Sequence, residues 1–281
     1  KLGVEIPHGS VLIGELVGSA CQAIGRKDIW SEMDHLNAGQ SRKAIQRLES
    51  ILARQVPYAD TLQEEKWFGQ SALLEVFRQK NAIRQMMASA NGQSNSGGNP
   101  PVDFTQLFWL AYSKERVMAD YTHYMDQLIA NNHQPYGAHV PDPPVPNDPI
   151  CQIICPVFTQ AHFNVASSNV QNHLLLTALA LHAYQLEHGA YPNTLQELVP
   201  GYLAKLPQDE MAKQGMFLYQ SKAKDPSHGV AYLLYSVGPD GVDDGGRPID
   251  DPSKVSSGNP TARYRPDVQS NGDIVVGVNV P

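Results

Sequence analysis

The sequence predicts an α+β fold in which a helical N-terminal region is followed by a long helix packed on a small antiparallel β-sheet. Two observations carry this prediction. Apolar residues recur every three to four positions through most of the first 188 residues, and short β-prone runs replace that period further on. We therefore expect two parts, a helical region over 1–149 and an α+β domain over 150–281.

The N-terminal region is predicted to consist of amphipathic helices separated by short breaks. The helical spacing of apolar residues places them at 11–24, 41–52, 67–87 and 104–129. A polar loop at 91–101, rich in Gly, Ser and Asn, separates the last two. Six prolines between Pro135 and Pro149 predict an extended segment that ends the region.

The long helix is predicted to run from Pro156 to His188. Its middle is apolar on almost every side, which is typical of a helix buried on more than one face. Gly189 is expected to end it, and Thr194 with Glu197 has the form of a capping box for a short helix.

The sheet is predicted from three β-prone runs beyond that short helix. They lie at 216–219, 230–236 and 273–278, with a hairpin turn expected at 225–229.

Charge and composition exclude some classes of function. The chain has 21 Lys and Arg against 28 Asp and Glu, a net charge of -7, and no basic stretch interleaved with aromatic residues. A nucleic-acid partner is therefore not expected. No apolar window is long enough to span a bilayer, so a membrane tether is expected only from a segment upstream of Lys1.

The cysteines leave two interpretations open. Cys151 and Cys155 are four residues apart, which allows either a disulfide bridge or a pair of inert thiols. A structural zinc is not expected, because it requires four Cys or His ligands and no second ligand pair accompanies these two.

The densest polar constellation is the segment 238–251. Its acidic residues are Asp240, Asp243, Asp244, Asp250 and Asp251, against the single Arg247. Calcium prefers such oxygen ligands in a flexible loop, although the spacing is not that of an EF-hand. The alternative is a solvated acidic loop whose Asp and Gly residues only form turns.

The C-terminal part resembles a known family. The residues that carry the resemblance are Tyr184, Gly189, Tyr191-Pro192, Tyr202-Leu203, Leu206-Pro207, Asp209, Ser236, Gly238-Pro239-Asp240-Gly241, Gly245-Gly246 and Asp273-Ile274. In order and approximate spacing they are similar to the globular domain of type II secretion major pseudopilins, over about 156–281.

This resemblance implies a calcium site. It implies Asp240 as a direct ligand, together with a main-chain oxygen near Tyr235 or Ser236 and a second carboxylate from Asp273. The segment 247–272 is longer than the family's loop. Asp243, Asp244 and Asp250 are therefore alternatives to Asp273.

The sequence features and the resemblance together predict a non-enzymatic function. We expect a cell-envelope or filament-associated structural or interaction protein outside the cytoplasm, with other protein subunits or copies of itself as partners. One alternative is an accessory component of a type II secretion-like machine. Another is an enzyme with a cleft in the helical region around Tyr121, His123 and Asp126, which the spacing on one helix allows.

Overall fold

The computed structural model describes residues 1–79, 113–138, 140–155, 158–221, 232–255 and 258–280. The polar loop at 91–101, the start of the aromatic-rich helix, the end of the third predicted helix and the turn at 225–229 lie outside these residues. Within them the α+β prediction is confirmed. The helices are α1 (Leu2–Glu5), α2 (Leu12–Glu32), α3 (Ala38–Leu52), α4 (Tyr58–Arg78), α5 (Lys114–Asn131), α6 (Pro149–Ile154) and α7 (Phe158–His188).

The sheet is three-stranded and antiparallel. Its strands are β1 (Leu218–Gln220), β2 (Leu233–Ser236) and β3 (Ile274–Val275), in the order β1-β2-β3. Tyr235 pairs with Leu218 on one side and with Val275 on the other, so β2 is central. The strands are shorter than the predicted runs but fall within or beside them.

Helix α7 is the element around which the protein is built. It is 31 residues long and ends where predicted, at Gly189, which has a φ of +76 that favours glycine. The predicted capping box of Thr194 and Glu197 is present, on a 3₁₀ turn at Leu195–Leu198.

Two apolar cores meet along α7. Its first turns, including Phe158 and Val165, pack with residues of α4 and α5 such as Leu62 and Leu128. Its remaining length packs against the sheet and against α2 and α3. Burial on both sides explains why the middle of the helix is apolar on almost every side.

The second of these cores crosses the expected boundary at 149/150. Trp30 of α2 and Ile45 of α3 belong to the same buried cluster as Leu179 of α7 and Leu234 of β2. The division into two domains stays a prediction, and the packing shows that the two parts share apolar surface.

The N-terminus of α3 differs from the prediction by three residues. The helix begins at Ala38 rather than at Ser41, because Asn37 and Gln40 form a reciprocal capping box. The Gln40 N–H donates to Oδ1 of Asn37, and the Asn37 N–H donates to Oε1 of Gln40, both at 3.0 Å.

The inward face of α2 also differs from the predicted apolar stripe. Ile24, assigned to that stripe, is 67% exposed, whereas Gly18 and Arg26 are buried. A Cβ at Gly18 would lie 2.6 Å from the carbonyl oxygen of Gly3, so a side chain would not fit at this contact. The close contact with α1 therefore fixes the rotation of α2.

The three cysteines are free thiols. Cys151 is buried on α6, where its carbonyl accepts a 2.9 Å hydrogen bond from the Cys155 N–H. Among the described helices, none has both the length and the apolar character needed to cross a membrane.

Candidate functional site

The acidic loop lies between β2 and β3 and is closed by its own carboxylates. Asp240 Oδ2 accepts a 3.1 Å hydrogen bond from the Gly272 N–H, just before β3. Asp273 Oδ2 accepts one of 2.7 Å from the Gly246 N–H, and its Oδ1 accepts one of 3.4 Å from the Asp244 N–H. These bonds hold the loop against the start of β3.

Glycines permit this closure. Gly238 has a φ of +74, and a Cβ there would lie 2.1 Å from the carbonyl oxygen of Gly272. Gly246 has a φ of +83, and a Cβ there would meet the side chain of Leu233. The glycines of the motif are thus required by the fold of the loop itself.

Two further carboxylates lie at the loop surface. Asp243 Oδ1 accepts hydrogen bonds from the Tyr235 hydroxyl at 3.1 Å and from the Gly245 N–H at 2.9 Å. Asp244 forms a 2.8 Å ion pair with Arg247. These bonds engage one oxygen of each carboxylate.

Asp273 is the electrostatic centre of the loop. It is 0% exposed, and burial raises its pKa to about 6. The N–H donors of Gly246 and Asp244 oppose this shift, and the negative charges of Asp243 and Asp244 add to it. Burial is thus the main reason why the Asp273 carboxylate binds a proton more readily than usual, and its acidic neighbours contribute less.

Two of the residues expected as ligands have side chains that bond to other protein groups. Asp250 pairs with Arg263, whose Nε and Nη2 donate at 2.5 and 2.7 Å. The Ser236 hydroxyl donates at 2.8 Å to Asp209 Oδ1, and the Ser236 backbone pairs with Ile274 in the sheet. Asp240 and Asp273 thus tie the loop to the start of β3, with Asp243 and Asp244 beside them, whereas Asp250 and the Ser236 side chain are bonded to Arg263 and Asp209.

The donor chemistry of this loop suits calcium, but the arrangement does not form a coordination sphere. Both carboxylate oxygens of Asp240 and of Asp273 are engaged by backbone N–H groups. In the described part of the chain, no three His, Cys, Asp or Glu side chains are grouped to hold a metal ion. Calcium binding at this loop stays a prediction.

The residues of the alternative catalytic cleft do not share an environment. Tyr121 is buried, and its hydroxyl donates at 3.3 Å to the Glu65 carbonyl. His123 and Asp126 are exposed, and Asp126 forms a 2.5 Å ion pair with Lys66. The structure therefore gives no support to a cleft built from these three side chains.

Two charged residues of α2 are buried: Glu15, which lies on the helical stripe predicted from the sequence, and Arg26, which the sequence analysis did not single out. Glu15 is buried with its Oε2 lacking a hydrogen-bond partner within the described residues, and burial raises its pKa to about 7. A signal was available, since Glu15, Gly18, Gln22 and Arg26 recur at the spacing of one helix face.

Arg26 forms a polar junction between α2 and α7. Its Nη1 donates to Ser168 Oγ at 2.9 Å and to Asn172 Oδ1 at 2.8 Å, and its Nη2 donates to Gln171 Oε1 at 3.2 Å. Asn172 Nδ2 in turn donates to Gln22 Oε1 at 2.6 Å. Charge and polar groups thus replace apolar packing along this stretch of α7.

No family model, no curated protein and no solved structure matches this chain.

Proposed function

We propose that this chain is a non-enzymatic structural or interaction protein that acts outside the cytoplasm through a pseudopilin-like C-terminal unit. The observation that carries the proposal is the arrangement of α7. A 31-residue helix leads through the Gly189 turn to a three-stranded antiparallel sheet, and the Asp- and Gly-rich loop between its last strands is tied to Asp273. This is the order of elements that the sequence resemblance implies.

The helical region supports an interaction role in two ways. It packs directly against α7, since α2 and α3 contribute residues to the same apolar core as the sheet. It also exposes large aromatic side chains on α4, where Trp67 is 53% and Phe68 is 59% exposed. Exposed aromatic residues of this kind are enriched where protein surfaces meet.

The first test concerns location and assembly. The native protein is located by fractionation of its source cells, and the purified chain is studied by light scattering over a range of concentrations. We expect envelope or extracellular fractions and a species larger than the 30.8 kDa monomer. A cytoplasmic protein that stays monomeric and has no protein partner would contradict the proposal.

Matched variants locate the contact surface. Trp67→Gln with Phe68→Gln is expected to shift the chain toward monomer. Val255→Gln removes an exposed apolar side chain in the C-terminal part, which is 46% exposed, and is expected to leave assembly unchanged. Equal effects of the two changes would move the contact away from α4.

The second test addresses calcium. Thermal melts are recorded in excess EGTA, in millimolar calcium and in millimolar magnesium. The resemblance predicts a rise in Tm specific to calcium, lost in Asp240→Ala and retained in Asp250→Ala, because Asp250 is paired with Arg263. Identical melts in the three conditions would contradict calcium binding. The proposal of a structural or interaction role would then depend on the first test alone.

A further inference from the structure

A cavity of about 600 Å³ lies between α2, the first half of α7 and the C-terminal segment 259–266. Its volume is within the range of small-molecule pockets, about 300–1,000 Å³. Two arginines line it, Arg26 and Arg265, and the other polar lining residues are uncharged. No acidic residue is among the described residues that line it, although the chain as a whole carries a charge of -7.

Arg26 lines this cavity and is only 8% exposed. Its described hydrogen bonds go to uncharged oxygens of Ser168, Gln171 and Asn172. Among the residues that the structure describes, no carboxylate lies within ion-pairing distance of Arg26. A buried guanidinium without a counter-ion is costly, and such groups are usually paired.

The hydrogen bonds of Arg26 do not use all of its N–H groups. A guanidinium has five N–H donors, and the described bonds account for those of Nη1 and one of Nη2. The donors that remain are the Nε N–H and one Nη2 N–H, which can be offered to an oxyanion. Because its hydrogen bonds to α7 already fix the Arg26 side chain, binding an anion costs little further side-chain conformational entropy.

Arg265 gives the cavity a second positive charge at its rim. Its side chain is exposed, and the ion pairs of the described residues do not include it. Its neighbour Arg263 points instead to Asp250. The walls include the aromatic residues Phe163 and Tyr264, which provide apolar surface beside the two charges.

We propose that this cavity binds a small organic anion, with its oxyanion group on Arg26 and Arg265 and its apolar part against Phe163 and Tyr264. The oxyanion is a carboxylate or a phosphate, since both accept the two parallel hydrogen bonds of a guanidinium. The site is separate from the acidic loop and does not depend on the function proposed above.

The test is a titration of the full chain at fixed ionic strength with three probes that share one ring. Phenyl phosphate and benzoate carry the two oxyanions, and benzamide is the neutral control. We expect saturable calorimetric binding in the millimolar range or tighter for at least one anion and none for benzamide. The difference between the two anions identifies the preferred group.

Variants decide where the anion binds. Arg265→Gln removes the rim charge from an exposed side chain, so the fold is expected to be retained, and affinity should fall about tenfold or more. Arg47→Gln removes an exposed arginine of α3 that does not line the cavity, and affinity should stay within about twofold. Arg26→Lys, checked by its melt, keeps the charge but loses the paired donors and should weaken binding further.

Three results would overturn the proposal. They are the absence of saturable binding by either anion, equal binding of benzamide, and equal loss of affinity in Arg265→Gln and Arg47→Gln. In each case Arg26 would serve only to join α2 to α7.

Discussion

The hydroxyl of Ser236 donates a 2.8 Å hydrogen bond to Oδ1 of Asp209, and both residues are buried. Asp209 also accepts hydrogen bonds from the N–H groups of Met211 and Val237. Burial raises the pKa of Asp209, and these three donors oppose the shift. The Ser236 hydroxyl thus satisfies a buried carboxylate beside the central strand, and the main-chain oxygen that the resemblance implies near Tyr235 or Ser236 stays a prediction.

Ser236→Ala is therefore expected to destabilise the protein by about 1–3 kcal/mol, because it removes a donor from a buried acceptor. The loss should be the same in calcium and in EGTA. Ser253→Ala is the matched control, since Ser253 makes a similar bond to Asp251 at the surface and should cost little. A Ser236→Ala effect that appears only with calcium, measured by urea unfolding, would instead assign Ser236 to a metal site.

The contrast between α7 and α2 shows what the sequence could predict. The bounds of α7 were predictable because proline precedes it, glycine follows it and its middle is apolar all round. The rotation of α2 was predictable only in part, because the spacing of Glu15, Gly18, Gln22 and Arg26 marks one helix face but does not reveal the contact between Gly18 and Gly3. A charged residue such as Arg26 is normally assigned to the solvent face of a helix, so its burial was also missed.

The acidic loop was predictable in composition but not in its bonding. Its clustered Asp and Gly residues indicate turns or a cation site equally well. In the structure the carboxylates of Asp240 and Asp273 bond to backbone N–H groups, and Gly238 lies close to Gly272 in the same arrangement. Such a long-range contact has no local sequence signal.

Gly238→Ala is expected to cost about 1–3 kcal/mol or more, because the position combines a φ of +74 with the carbonyl oxygen of Gly272 at 2.1 Å from the new Cβ. Gly201→Ala is the control, since a Cβ there meets nothing within 4 Å and its φ is not positive. The two variants are compared by chemical denaturation. Equal stability would mean that the loop can open without loss to the fold.

Glu15 is expected to make stability fall as pH rises. Its pKa is about 7 in the folded state, against 4.5 ordinarily, so between these values the folded state holds a proton that the unfolded state releases. The difference corresponds to roughly 3 kcal/mol, present below pH 4.5 and lost as pH passes 7. Glu210, with a pKa also raised to about 7 by burial, acts in the same direction.

Melting curves between pH 5 and pH 8 check this. Glu15→Gln should flatten the fall of Tm with pH, because the ionisation is removed, and Glu32→Gln at the exposed end of α2 should leave the slope unchanged. An unchanged slope in Glu15→Gln would show that this carboxyl ionises normally in the folded protein.

Arg42 and Glu187 join α3 to the end of α7. Arg42 donates from Nε and Nη2 to the two carboxylate oxygens at 2.6 and 2.7 Å, and the Tyr202 hydroxyl donates to Glu187 Oε2 at 2.6 Å. The Arg42 hydrogen bonds are the main cause that lowers the pKa of Glu187 to about 2. The pair therefore stabilises the fold above about pH 4.5, and this contribution is lost as pH falls toward 2.

A double-mutant cycle of Arg42→Gln and Glu187→Gln measures that pair. We expect a favourable coupling energy at neutral pH that declines in acid and in high salt, as for a partly exposed ion pair. Arg78→Gln with Glu75→Gln is the control, since that pair lies within α4 and joins no two elements. Strictly additive effects at Arg42 and Glu187 would show that their contact does not hold α3 to α7.

Ile45 tests whether the two parts of the chain fold as one. It lies on α3 and is 1% exposed, in the same core as Leu179 of α7 and Leu234 of β2. Ile45→Ala should cost about 2–5 kcal/mol, because the cavity it leaves cannot be filled from solvent. If the core is shared, the loss in free energy of unfolding also lowers the stability of the sheet and of α7.

Hydrogen exchange provides the measurement. We expect Ile45→Ala to speed amide exchange in both α7 and β2. The free energy of opening should fall by the same amount in both elements, since a shared core opens as one unit. Ile24→Ala, at a side chain that is 67% exposed, should change neither. Unchanged protection of β2 in Ile45→Ala would show that 150–281 unfolds independently of 1–149 and would establish the domain boundary that the sequence predicts.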